Sequence, residues 1–288
     1  MAGEIFGSKD EFKLRPIEIS NNTKRFRNLK EKLSAWSRRF LLVFVLFLAW
    51  EILPSTGLVS PIFFPKFSVT VLALMNLISS GELLIHIEAS LQRSIIGYGL
   101  AMIVAIPLGL IMGWYSSIEK YTDLLIQTLR NTSLFALLPL FIMLFGIGET
   151  SKIIIVFYAA LWYMLINTIS GVKSVDPLYI KAAKSFGISD IDLFKKIILP
   201  ASIPSIISGA RLSAKTAVMV VIAAEMLAAK SGLGYFVQNS QLMYRIPEMY
   251  AGILTLAIIG LSLNYLLVWL EKKATYWKGD IDTAMLVN

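Results

Sequence analysis

The chain has 288 residues, 56% of them hydrophobic and only 16% charged, with a mean hydropathy of +0.69; that balance excludes an ordinary water-soluble domain and points to a membrane. It has no cysteine, which excludes a disulfide framework and thiolate chemistry, and its one histidine, His86, leaves little room for an imidazole-built catalytic or metal centre. The net charge of +8 informs about partners only through where the charges sit.

Many sit at the start. Residues 1–39 carry Lys9, Lys13, Arg15, Lys24, Arg25, Arg27, Lys30, Lys32, Arg38 and Arg39, as expected of a cytoplasmic arm facing anionic lipid, with no nucleic-acid partner implied. The apolar run that follows, 40–58, includes Trp50, Glu51 and Pro54; after so long a basic region it reads as a first transmembrane helix and not as a cleaved signal peptide. Residues 59–92 are broken by Pro61, Pro65 and Gly81 but keep apolar residues at helical spacing over 69–78. Short amphipathic helices at the outer surface are expected there, with His86 a surface residue.

A helix that crosses the hydrocarbon core needs about 20 mostly apolar residues. Segments 95–115, 153–172 and 249–270 meet this without a charge. Segment 131–148 is charge-free but short, and 206–227 carries Arg211, Lys215 and Glu225. The expected fold is all-α and polytopic, with six transmembrane helices, a core over 93–272 and a tail over 273–288. Lys and Arg are retained in cytoplasmic loops. The arm, a turn with Lys120 and Arg130, a loop over 173–203 with Lys173, Lys181, Lys184, Lys195 and Lys196, and the tail with Lys272, Lys273 and Lys278 therefore lie inside. Both termini are expected in the cytoplasm, and Lys66, Arg93, Lys152, Lys230 and Arg245 on the outer side.

The 173–203 loop is the most informative segment. Lys181-Ala182-Ala183, three residues, Gly187, nine residues, Ile197, one residue, then Leu199-Pro200 resembles the EAA loop of binding-protein-dependent ABC importer permeases. Only the first position departs: Lys181 stands where the family has Glu. Paired alanines give a helix a small-side-chain face able to lie in a groove. Gly187 permits a left-handed helix end, and Pro200 is expected to stop the next helix before the chain re-enters the membrane.

Two further stretches extend the resemblance. Leu138-Pro139-Leu140 with 144–152, which runs through Phe145-Gly146-Ile147-Gly148-Glu149, and Ala224-Glu225 with Gly232-Leu233-Gly234-Tyr235 are similar to segments of nitrate, sulfonate, taurine and bicarbonate permeases. The resemblance implies the type I importer fold and no enzyme activity or cofactor on this chain. ATP and Mg would belong to separate ABC ATPase subunits docked at the loop. It also implies a periplasmic or lipid-anchored substrate-binding protein, a second copy of the permease, the inner membrane, and a small oxyanion substrate, an aliphatic sulfonate such as taurine ahead of nitrate or bicarbonate.

Charges and breaks inside spans are the pathway candidates. They are Arg130 and Asn131 at the start of the third span, Pro139 within it, and Glu225, which alternatively pairs with Lys152 or Lys230. Gly97, Gly99, Gly109 and Gly113 suit close helix packing. Ser117-Ile118-Glu119-Lys120 has Ser-x-x-Lys spacing without its companion motifs, and 146–152 fails the phosphate-loop spacing. The alternative class, an ion-coupled secondary transporter without an ATPase, predicts inverted repeats and paired broken helices, which the sequence does not show.

Overall fold

A computed structural model describes residues 41–275, whose regular structure is helical, with no strand among them. The 1–39 arm and the tail beyond 275 lie outside the described residues. The chain divides into two units, up to Pro61 and from Ile62 onward. In the first, α1 (Leu41–Thr56) is an apolar helix shorter than a bilayer crossing within the described residues, closed by Gly57 at φ +77°.

In the second unit α2 (Phe67–Ser79) leads through Gly81 into α3 (Glu82–Trp114), a single helix of 33 residues. The external segment expected over 59–92 is thus only partly separate: residues from Glu82 onward extend the second span, because Gly81 at φ +78° is the last break before an unbroken helical run. α4 (Ser116–Asn131) and α5 (Leu134–Phe145) follow, meeting at 93°. α6 (Glu149–Lys173), α7 (Pro177–Ser185), α8 (Asp190–Leu193), α9 (Leu199–Ala228), α10 (Leu233–Leu242) and α11 (Ile246–Ala274) complete the unit. Among the described residues four helices are long and apolar enough to cross a membrane alone, and the bent α4–α5 pair makes a fifth if the two helices are taken as one span.

Helix directions follow from residue pairs. A Cβ on Gly97, Gly109 or Gly113 would meet Val156, Thr168 or Val172 at 2.7, 2.6 and 2.6 Å. The pairing advances in step, so α3 and α6 run parallel, held at backbone-contact distance by the glycines. Gly171 abuts Ser205, Gly209 abuts Asn167, and the Ser213 hydroxyl donates to the Ala160 carbonyl, which makes α9 antiparallel to α6. Two parallel spans need a return crossing between them, and α4–α5 supplies it. The Glu119 carboxylate at the start of α4 pairs with Lys173 at the end of α6, while the Tyr158 hydroxyl donates to the Leu129 carbonyl at 2.6 Å near the end of α4. The expected turn with Lys120 and Arg130 is therefore a 16-residue helix climbing along α6. Its charges hid it from a hydropathy reading.

Candidate functional site

The loop between α6 and α9 folds into a small unit. Asp176 caps α7, its Oδ1 accepting from Leu178 N–H at 2.8 Å, and Pro177 occupies the first turn, where a missing N–H costs nothing. Gly187, at φ +73°, turns the chain, and Ile188 N–H returns to the Ala183 carbonyl at 3.3 Å, closing the helix end. Ser189 caps α8 through Asp192 N–H at 3.2 Å. Lys184 pairs with Asp190 at 3.5 Å. Lys196 pairs with Asp192 at 3.2 Å, and this cation holds the Asp192 carboxyl below the usual carboxylate range.

The two alanines of the motif face different ways. Ala183 is buried with Val172, Val175, Leu193 and Ile198, with Ile197 packed against this cluster. Lys181 and Ala182 are exposed, and so are Leu178, Tyr179 and Phe186, the last 85% accessible. The face available to a partner is thus Ala182 with Leu178 and Tyr179. The expectation that Ala183 shares that face is corrected: successive helix positions lie about 100° apart, and Ala183 falls on the inner side. Pro200 also differs from expectation. It lies in the first turn of α9, and Leu199 joins that helix to the wide π-type turn Phe194–Ile198. A proline removes an i→i−4 bond, and the wide turn before it absorbs the loss, so the helix runs on from Asp190 to Leu227 instead of stopping.

At the other end of the bundle lies an ion network that links α3, α6, α9 and the α9–α10 connection. Arg93 is 3% and Glu225 0% exposed. Arg93 Nη1 donates to Glu225 Oε1 at 2.6 Å and to the Ser231 carbonyl at 2.7 Å. Its Nη2 donates to Glu149 at 2.9 Å and to Ser231 Oγ at 2.8 Å, and its Nε pairs with Glu149. All five guanidinium donors are thereby used. Glu225 also accepts from the Ser90 hydroxyl at 2.7 Å and from Gly234 N–H at 3.0 Å, and Ser90 Oγ accepts from Leu233 N–H at 2.8 Å. Lys152, buried, pairs with Glu149 at 3.1 Å.

Arg93 is therefore no outer-loop residue, and it takes the place of the Lys152 or Lys230 partner expected for Glu225. The two glycines after Glu225 exist to admit it. A Cβ on Gly232, at φ +111°, would lie 2.2 Å from the Glu225 carboxyl carbon, and one on Gly234 would lie 2.2 Å from the Ile222 carbonyl oxygen. His86 is half-buried. Its Nδ1 accepts from Gly232 N–H at 3.1 Å, and its ring packs against Phe236 at 5.2 Å, so it props this loop where a surface position was expected.

The remaining sequence candidates are not gathered with Glu225. Arg130 and Asn131 close α4 where they were expected to open the third span. Both are exposed, and Arg130 Nη2 donates to Gln127 Oε1 at 2.8 Å. Pro139 is exposed within α5, and the 93° bend precedes it, at Thr132–Ser133. Leu138 beside it packs with Ile155 and Ala224, which brings α5 against the C-terminal turns of α9. Sequence reasoning missed Arg93 as the hub. Its signal was present, since Arg93 lies two residues before an unbroken apolar run.

A family model for the inner membrane component of binding-protein-dependent transport systems matches residues 105–276. A probable ABC transporter permease protein of Brucella abortus is 36% identical over 232 residues, covering 80% of this chain and 90% of its own length. The taurine transport system permease protein TauC of Escherichia coli (strain K12) is 32% identical over 242 residues, covering 82% and 88%. Among solved structures, an inward-facing form of the MetNI methionine ABC transporter superposes with a TM-score of 0.60 at 16% identity, over 67% of this chain and 96% of that one; it shares the fold. The chain belongs to the family of binding-protein-dependent transport system inner membrane components, the permease subunits of ABC transporters.

Proposed function

We propose that this permease imports a small oxyanion, an aliphatic sulfonate such as taurine ahead of nitrate or bicarbonate, delivered by an external binding protein. Two copies enclose the pathway, and two separate ATPase subunits with ATP and Mg drive it from the cytoplasm, where both termini lie. The observation that carries the ATP-driven part is the α7 unit. Ala183 anchors it to the ends of α6 and α9 while Leu178, Tyr179, Ala182 and Phe186 remain uncovered. An apolar, rigidly rooted face on a short helix suits docking into a cleft and transmits a push directly to two spans. Similarity to the taurine permease supports the substrate class. Arg130 and Asn131, exposed at the end of a helix that climbs along α6, are pathway residues on this reading; Pro139 shapes the segment after them, and Glu225 fixes the outer end of the bundle.

The chain has no cysteine, so a single introduced one reports cleanly. Ala182→Cys crosslinks to a cysteine in the ATPase cleft of the assembled transporter, and Ala183→Cys does not. An assembled, ATP-hydrolysing complex with no crosslink from position 182 overturns the docking assignment.

A further inference from the structure

Three charges lie along α9. Glu225 is held by Arg93 and Arg211 by Glu271, whereas Lys215 has no hydrogen-bond or ion-pair partner among the described residues. By the helical rise it stands about 6 Å beyond Arg211 and about 15 Å short of Glu225, inside the span. Ser213 is level with Ala160 of α6, so Lys215 sits about 9 Å inward of Lys152. The Tyr158–Leu129 bond brings the end of α4, with Arg130, to the same depth. Two cations without acidic partners therefore occupy one level of the bundle.

The direction Lys215 faces follows from the wheel of α9. Ser213, Ala217, Val221 and Ala224 form its buried stripe, and at about 100° per residue Lys215 points to the opposite side. Lys215 is itself half-buried, and its neighbours on that side are Leu212 and Met219, 43% and 73% exposed. By contrast, the outward face of α3 presents Ile95, Ile96, Leu100, Ile103 and Leu108, the composition that suits lipid. An unpaired basic side chain on the outward face of a span suits a water-filled passage.

We infer that Lys215 is an anion-contacting residue of the translocation pathway and that Met219, one turn on, receives the aliphatic part of a sulfonate. This rests on the anion-importer reading and deepens it. A cation holds the oxyanion head while a flexible thioether adapts to a small apolar tail, so the pair favours an organic sulfonate over nitrate.

The test uses the complete transporter with its ATPase and binding protein in proteoliposomes, with radiolabelled taurine. Lys215→Met lowers import at least tenfold while ATP hydrolysis stays within twofold of wild type, and Lys215→Arg retains import. Met219→Ala lowers taurine import more than nitrate import. Should Lys215→Met fail to assemble, Lys215→Cys is treated with a positively charged aminoethyl thiosulfonate, which restores import, and with a negatively charged sulfonatoethyl reagent, which does not. Undiminished import by Lys215→Met, or a Lys215→Cys variant that neither water-soluble reagent modifies, overturns the inference. A wild-type complex that hydrolyses ATP yet imports neither anion instead fails the importer reading itself.

Discussion

Arg93 Nη1 and Glu225 Oε1 lie 2.6 Å apart with neither side chain reachable by solvent beyond 3%, although 132 positions separate the residues. The pair joins α3 to the C-terminal end of α9, and Ser231 and Glu149 complete its coordination. Removing Arg93 leaves Glu225 buried without a counter-charge, which costs more than the pair itself contributes, whereas removing Glu225 leaves Arg93 still paired with Glu149.

Arg93→Met is therefore expected to destabilise the purified permease by about 3 kcal/mol or more, and Glu225→Gln by less, both read as the loss of thermal stability in detergent. The double variant Arg93→Met/Glu225→Gln falls well short of the sum of the single effects. Additive losses would show that the two side chains act independently.

The turn that covers this pair depends on two missing side chains. Gly232→Ala places a methyl against the Glu225 carboxylate and forces a non-glycine residue to φ +111°, a penalty of about 1–3 kcal/mol from the backbone alone. Gly234→Ala drives into the Ile222 carbonyl, which has no free rotation by which to yield. Both are expected to loosen the α9–α10 connection, measured as faster protease cleavage near Lys230. Unchanged cleavage in both would show that the backbone accommodates them.

The loop motif was legible in the sequence because its spacing encodes caps and turns, and Asp176, Pro177 and Gly187 act locally. Which alanine faces outward was not legible, because that depends on where Leu193 and Ile198 return in space. The spans over α3, α6 and α11 were readable from apolar runs alone, and α9 only in part, because Arg211, Lys215 and Glu225 interrupt its run. α4 was not, because Lys120, Asp123 and Arg130 break its hydropathy even though the helix climbs along α6. Arg93 escaped for a related reason: composition places a charge at the edge of a run, but only packing reveals a glutamate waiting on another helix.

That division predicts opposite outcomes for neighbouring positions on α7. Ala183→Leu overfills the cluster of Val172, Val175, Leu193 and Ile198 and is expected to cost about 1–3 kcal/mol, lowering the amount of folded permease. Ala182→Asp leaves folding intact, since its side chain meets solvent, but abolishes copurification of the ATPase. Equal thermal stability of the two variants would contradict the inward placement of Ala183.

The parallel contact of α3 with α6 gives the last prediction. Gly109 and Gly113 bring the helices together where a Cβ would lie 2.6 Å from Thr168 and Val172. Thr168 and Val172 are themselves fully or nearly buried, so they have nowhere to retreat. Gly109→Val or Gly113→Val pushes the helices apart along their length and removes dispersion contacts from both. The expected result is a loss of several kcal/mol and failure to recover a monodisperse protein. Gly99→Val, on the same helix but with open space around its Cβ position, is expected to be tolerated with thermal stability near that of the parent. If Gly99→Val proved as damaging as Gly109→Val, helix propensity and not interhelical contact would explain the glycines of α3.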